Sequence, residues 1–206
     1  MKIIFVLILL IVGSPMLLMA VFLPFLLAPA GPDTPGAGGQ GSPPGEEYLL
    51  VPDEIRYRDR TAFHPALIEW LTERNSALAT PAHLNAIEEA GRKYDVDPIL
   101  LLAITGQEQA FVPRRGNWRA IERNPWNVFH SWQRWSGGFE LSAQWAAHTV
   151  MRLSQDCPPG VGILRWINGL DNTGQRANPR WGYAGHTGWH IGVGIFYQQL
   201  KAVGGV

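Results

Sequence analysis

The chain has 206 residues, of which 17% are charged and 11% aromatic, with nine Trp and no net formal charge. That length suits one domain of about 150 residues plus appendages. The lone Cys157 excludes an internal disulfide framework. The neutral balance hides an asymmetry: after Leu100, ten Arg and Lys face five Asp and Glu, an excess of five positive charges. This gives the C-terminal half a mild preference for a polyanionic surface. The bases are scattered and no nucleic-acid motif accompanies them, so nucleic acid is not an expected partner.

Residues 1–30 open with Lys2 and then carry an uncharged apolar run interrupted only by Gly13-Ser14-Pro15 and Pro24. About 20 apolar residues are needed to cross a bilayer, and a secretory apolar core is usually about 7–15. The run therefore reads as a retained transmembrane signal anchor. A cleaved signal peptide ending at Ala28-Pro29-Ala30 is the alternative, and would leave the protein secreted. The only nearby base precedes the run, while Asp33, Glu46 and Glu47 follow it, which predicts a single pass with the domain outside. Residues 31–47 are rich in Gly and Pro and read as a flexible linker, with a reach of roughly 20 Å.

Residues 48–80 read as an N-terminal arm and a helix packing on the domain that follows, which spans 81–206. His64–Ala77 places Leu67, Ile68, Leu71 and Leu78 at helical spacing. Thr80 and Pro81 are an N-cap and first helical residue for a helix to Tyr94, with Leu84, Ile87 and Ala90 turned inward. Asp97 and Pro98 repeat the signal for a helix reaching Phe111 and stopped by Val112-Pro113. Because Ile99–Ile104 is almost wholly apolar, this third helix is expected to be buried. Glu108 lies on the same stripe as Leu101 and Ile104. Desolvation and the negative end of the helix dipole should both raise its pKa, as a general acid requires. Further helices are expected over Gly138–Ser154, through Leu141, Trp145, His148, Thr149 and Leu153, and over Gly160–Asn168 and Trp189–Val203. Few alternating strand patterns occur, so the domain is expected to be mainly α with long loops at Arg114–Gly138 and Asn168–Gly188.

Those loops concentrate Trp118, Trp126, Phe129, Trp132 and Trp135 in the first and Trp181 and Tyr183 in the second. Flat aromatic faces stack on sugar rings while neighbours such as Asn124, Asn127 and Gln133 bond the hydroxyls, so the loops suit a glycan groove with Glu108 at its floor. Other chemistries have less support. Cys157 has no His neighbour in sequence to activate it. His186-Thr-Gly-Trp-His190 has the spacing of a metal pair but not the Glu of the zinc-protease motif, so no metal is expected. No Gly-x-Ser-x-Gly elbow is present.

Tyr94–Phe111, containing Gly106-Gln107-Glu108-Gln109-Ala110-Phe111, together with Asn124-Pro-Trp-Asn-Val-Phe129, resembles the lysozyme-like superfamily of cell-wall glycosidases. Within it the nearer likeness is to the bacterial glucosaminidase type, in which Gln-Glu-Ser-x-Phe ends a helix and Asn-Pro-Phe-Asn-Ile follows. Trp181-Gly-Tyr183-Ala and Trp189–Leu200 look like that family's C-terminal part. The resemblance covers roughly Pro81 to Val203. It implies a lysozyme-like helical domain acting on peptidoglycan glycan strands without a cofactor, with Glu108 as catalytic acid and Tyr183 beside it. Substrate-binding positions would then be Gln107, Asn124, Trp126, Asn127, Phe129, Trp132 and Trp181. The chain departs from the pattern at Gln109, where the family has Ser, and in lacking the Gly-Leu-Met-Gln segment of the soluble lytic transglycosylases.

Glycosidases usually use two carboxyl groups. Asp171, in Gly169-Leu-Asp-Asn-Thr-Gly174, is the leading candidate for the second, ahead of Glu122 and Glu140. The expected function is a peptidoglycan hydrolase cutting β-1,4 bonds, with a lytic transglycosylase forming 1,6-anhydro products or a non-catalytic wall-binding module as alternatives. Oligomeric state is not legible.

Overall fold

A computed structural model of the chain describes residues 50–205. The anchor and linker expected at 1–30 and 31–47, and the first residues of the arm, lie outside the described residues. The rest is mainly α, with no β-strand among the described residues. Seven helices follow in order: α1 His64–Glu73, α2 Pro81–Tyr94, α3 Pro98–Gln109, α4 Trp118–Ile121, α5 Phe139–Ser154, α6 Ile163–Ile167 and α7 Trp189–Gly204. Short 3-10 turns occupy Pro52–Ile55, Thr61–Phe63 and Val128–His130. Among the described residues no helix is long and apolar enough to cross a membrane.

Helix α3 is the centre. Every residue from Pro98 to Gly106 is buried, so no face of it meets water. Helix α7 packs along one side of it, and α2 and α5 pair on another. Gly192 makes the α3–α7 approach possible: a Cβ there would strike the Gln107 amide, which therefore lies against α7. The capping signals act as read. Thr80 Oγ1 accepts from His83 N at 3.2 Å, and Asp97 Oδ1 accepts from Ile99 N at 2.9 Å.

Asp97 also does something its cap role does not announce. It is fully buried and takes two bonds from the Arg60 guanidinium, Nε to Oδ1 at 3.2 Å and Nη2 to Oδ2 at 2.6 Å. The Tyr197 hydroxyl of α7 sits 3.0 Å from Asp97 Oδ2 and 2.9 Å from the Glu54 carbonyl oxygen, sharing its proton between them. Beside this, Glu88 of α2 accepts from Arg60 N at 3.2 and 3.3 Å. The arm before α1 is thus latched to the start of α3 by a buried ion pair.

Two expectations need correction. Helix α5 forms where predicted, but Ser142, Ala143, Ala146, Ala147, Val150 and Leu153 face the core, while Leu141 and Trp145 are exposed. The large side chains suggested one stripe, whereas small residues let α2 and α5 approach closely on another. Helix α3 stops sooner than Val112-Pro113, because Ala110, Phe111 and Val112 all adopt left-handed backbone, with φ of 49°, 60° and 55°. Left-handed backbone costs an L-residue about 1–2 kcal/mol. The exposed Ala110 has no packing to lose. Ala110→Gly should therefore raise stability by about 0.5–1 kcal/mol, after Gly's own entropic cost, read as a higher denaturation midpoint in urea.

Candidate active site

Glu108 occupies the last turn of α3, mostly buried, and both carboxylate oxygens are engaged. Asn127 Nδ2 donates to Oε2 at 2.8 Å, and Trp189 Nε1 donates to Oε1 at 2.8 Å. The Asn127 amide is oriented by its own oxygen, which accepts from Trp132 N at 3.3 Å. Asn127 itself adopts left-handed backbone, φ 52°, which turns its side chain back toward α3. The Trp189 ring is held by stacking on Tyr183, centroids 4.7 Å apart and planes 18° apart.

Burial raises the Glu108 pKa, and the two neutral donors, Asn127 and Trp189, pull it down by less, so it lies above the ordinary glutamate value. Each carboxylate oxygen keeps a lone pair free for a proton. The Tyr183 hydroxyl donates to the Trp126 carbonyl at 3.1 Å. Burial first, and the nearby Glu108 charge second, push its pKa well up, so it stays protonated.

Glu108 opens into a cavity of about 590 Å³, within the usual size of ligand sites. Its walls come from three places: the Asn127–His130 turn, the Trp145, Thr149 and Arg152 face of α5, and the Gly182–Gly185 segment. That last segment is held close to α6. Tyr183 N donates to the Ile167 carbonyl at 2.9 Å, and Gly182 lies so near the Asn168 carbonyl that a Cβ would collide with it. A second cavity of about 630 Å³ shares Gly182–Gly185 and is bounded by Arg176 and Trp181.

The expected site residues divide. Glu108, Asn127, Phe129 and Tyr183 meet at the cavity, and Trp181, 80% exposed, stands over the neighbouring one. Trp126 also borders the cavity, but its indole is wholly buried and donates to the Leu101 carbonyl at 2.8 Å, so its ring is core. Asn124 is likewise buried and braces the loop, donating to the Val128 and Trp135 carbonyls at 2.9 and 3.1 Å. Gln107 faces α7, and Trp132 supplies a backbone N–H to Asn127 while its ring is not part of the cavity wall.

Asp171 is placed elsewhere. Its Oδ1 accepts from Thr173 N and Oγ1 and from Gln175 N, at 2.8, 2.7 and 3.0 Å. Those bonds, the Thr173 hydroxyl first, hold its pKa below the usual carboxylate range. It behaves as the organiser of its own turn. Glu122 pairs with His83, Nε2 to Oε1 at 3.1 Å, and Glu140 sits in the first turn of α5. Among the described residues Glu108 is therefore the sole carboxylate on the cavity wall.

Trp189, Arg152, Thr149 and His130 were not singled out as site residues from sequence. Trp145–Thr149–Arg152 spacing, four then three residues, could have flagged one helix face; nothing local marks Trp189 as a partner of Glu108. Among the described residues no three His, Cys, Asp or Glu side chains form a group that could hold a metal. Burial pushes the Cys157 thiol pKa up, opposite to what a nucleophile needs.

Compared with known proteins, the chain matches no family model and no curated protein.

Proposed function

We propose that this protein is an exported glycosidase of the lysozyme-like kind that cleaves β-1,4 bonds in peptidoglycan, with Glu108 as general acid. One observation carries the reading: a desolvated carboxyl, held by two neutral donors, faces a cavity with exposed aromatic rings at its lip. Desolvation shifts Glu108 toward its protonated form, the form that can protonate the leaving glycosidic oxygen. Asn127 and Trp189 then receive the carboxylate that proton transfer leaves. Phe129 and Trp181 offer faces on which sugars stack. Tyr183 fixes the Trp126 backbone and the Trp189 ring, and so positions the acid. The apolar run at 3–28 supports export and membrane attachment of the domain.

A second reading has its own support. With Glu108 the sole carboxylate on the wall among the described residues, attack on the sugar carbon falls to the substrate itself. Its acetamido oxygen would close on the sugar carbon to an oxazolinium ion that a water then opens, giving a hydrolysed product. Its own 6-hydroxyl would instead add and lose its proton to give a 1,6-anhydro sugar. Incubating purified wall with the protein and with Glu108→Gln, then weighing the released fragments by mass spectrometry, tests both readings. Loss of fragments with Glu108→Gln supports the acid role, and a product lighter by one water identifies the anhydro route. Unchanged lysis by Glu108→Gln overturns the assignment.

Trp189→Phe keeps an aromatic ring beside Tyr183 but removes the N–H to Glu108 Oε1. That bond favours the ionised form, so losing it raises the Glu108 pKa further. Activity that depends on protonated Glu108 falls as pH rises through that pKa. The alkaline limb of kcat against pH should therefore move to higher pH in Trp189→Phe.

A further inference from the structure

Helix α5 turns its alanine-rich side to the core and presents Trp145, Thr149 and Arg152 to the cavity that Glu108 enters. These positions follow one another by a helical turn, about 5.4 Å each, so an aromatic face, a hydroxyl and a guanidinium form a line along the wall. Arg152 is exposed, and among the described residues it makes no ion pair or hydrogen bond. Arg60, Arg180 and Arg176 are engaged, with Asp97, with Asp156 and with the Asn168, Ala184 and Gly185 carbonyls. Arg58, Arg92, Arg114, Arg115 and Arg134 lack such side-chain partners too, but of all these only Arg152 lines the cavity that Glu108 enters. Among the described residues the wall carries no acid besides Glu108, and the His130 imidazole lines the same cavity. An unpaired guanidinium in a site built for a sugar suits a sugar that carries an anion, since the planar fork matches a carboxylate with two parallel bonds.

Resting on the proposed glycosidase reading, we propose that Arg152 makes the site selective for glycan bearing carboxylate substituents on or next to the sugar ring, and that uncharged β-1,4 glycan binds without this contact. Arg152 is a specificity residue and takes no part in bond cleavage. Thr149 and Trp145, on the same face, seat the ring that carries the substituent.

The test measures binding separately from chemistry. Full-length protein carrying Glu108→Gln, in detergent, is titrated against insoluble peptidoglycan, against the same material with its carboxyls amidated, and against neutral chitin. Adding Arg152→Gln should weaken retention on native wall by about tenfold or more, the range for a bond to a charged group. Retention on amidated wall and on chitin should stay where it was. Arg152→Lys should recover part of the loss, and Arg119→Gln, an exposed arginine outside the cavity, should have no effect. Equal retention of the parent and Arg152→Gln on native wall overturns the proposal. So does an equal loss with Arg119→Gln, which would mean diffuse charge attraction. If the charge dependence appears but protein with Glu108 intact releases no sugar, the binding inference stands and the hydrolase reading falls. If sugar is released and binding ignores both Arg152 and amidation, the inference falls and the reading stands.

Discussion

Under the proposed hydrolase reading, Glu108→Gln is expected to lower kcat on cell wall by at least about a hundredfold, the scale of a general acid's contribution, while abolishing the loss of folding stability that ionisation of Glu108 brings as pH rises. The two effects share one cause. Burial raises the Glu108 pKa in the folded state above its unfolded value. A carboxyl of that kind favours folding while protonated. That contribution is fully present below the unfolded pKa and lost as pH rises through the folded one. Gln cannot ionise, so the variant escapes the loss, while its NH2 group facing one of the two N–H donors costs the same at every pH. The stability of Glu108→Gln relative to the parent should therefore be lowest near pH 4, rise with pH and then level off. Urea denaturation at several pH values, paired with turbidity assays, reads both quantities. An inactive variant that stays folded and shows this pH profile separates catalytic loss from misfolding.

Asp97→Ala is the opposite experiment. Removing a carboxylate that is wholly buried leaves the Arg60 guanidinium without its partner and unlatches the arm, Tyr197 and the start of α3 together. Breaking one side of a buried ion pair costs about 3–5 kcal/mol, and the lost cap adds about 1 kcal/mol. Stability measured by urea titration should fall by that order, and activity should fall only through the folded fraction. Asp97→Asn keeps the cap and one acceptor, so its loss should be smaller. A loss of less than about 1 kcal/mol for Asp97→Ala, below the cap's typical worth alone, would show that the latch is not holding the domain together.

Local signals were legible because their causes are local. Thr80-Pro81 and Asp97-Pro98 mark helix starts through bonds reaching only two or three residues, and the unbroken apolar run of α3 announces a helix without a wet face. Glu108 stood out for the same reason, an acid on an apolar stripe. What stayed hidden is pairwise and distant. Arg60 lies 37 residues from Asp97, Tyr197 100 residues, and Trp189 81 residues from Glu108. Periodicity misled on α5, where hydrophobic bulk pointed to Trp145 and Leu141 while close helix packing selected Ala143, Ala146 and Ala147 for the core. The aromatic residues of one loop look alike in sequence, yet Trp126 and Phe129, three residues apart, end on opposite sides of the boundary between core and groove.

The bond from Trp189 to Glu108 has a consequence in time. Its two ends are separated by 81 residues, and the Tyr183–Trp126 bond spans 57. Contacts between such distant segments close late, after the loop between them has been brought together. A growing chain that has already made α3 carries its acid without the indole or the Gly182–Gly185 wall. Under the proposed hydrolase reading the site should stay silent until α7 docks, and any regain of lysis during refolding should follow the last step of folding, not the formation of helices.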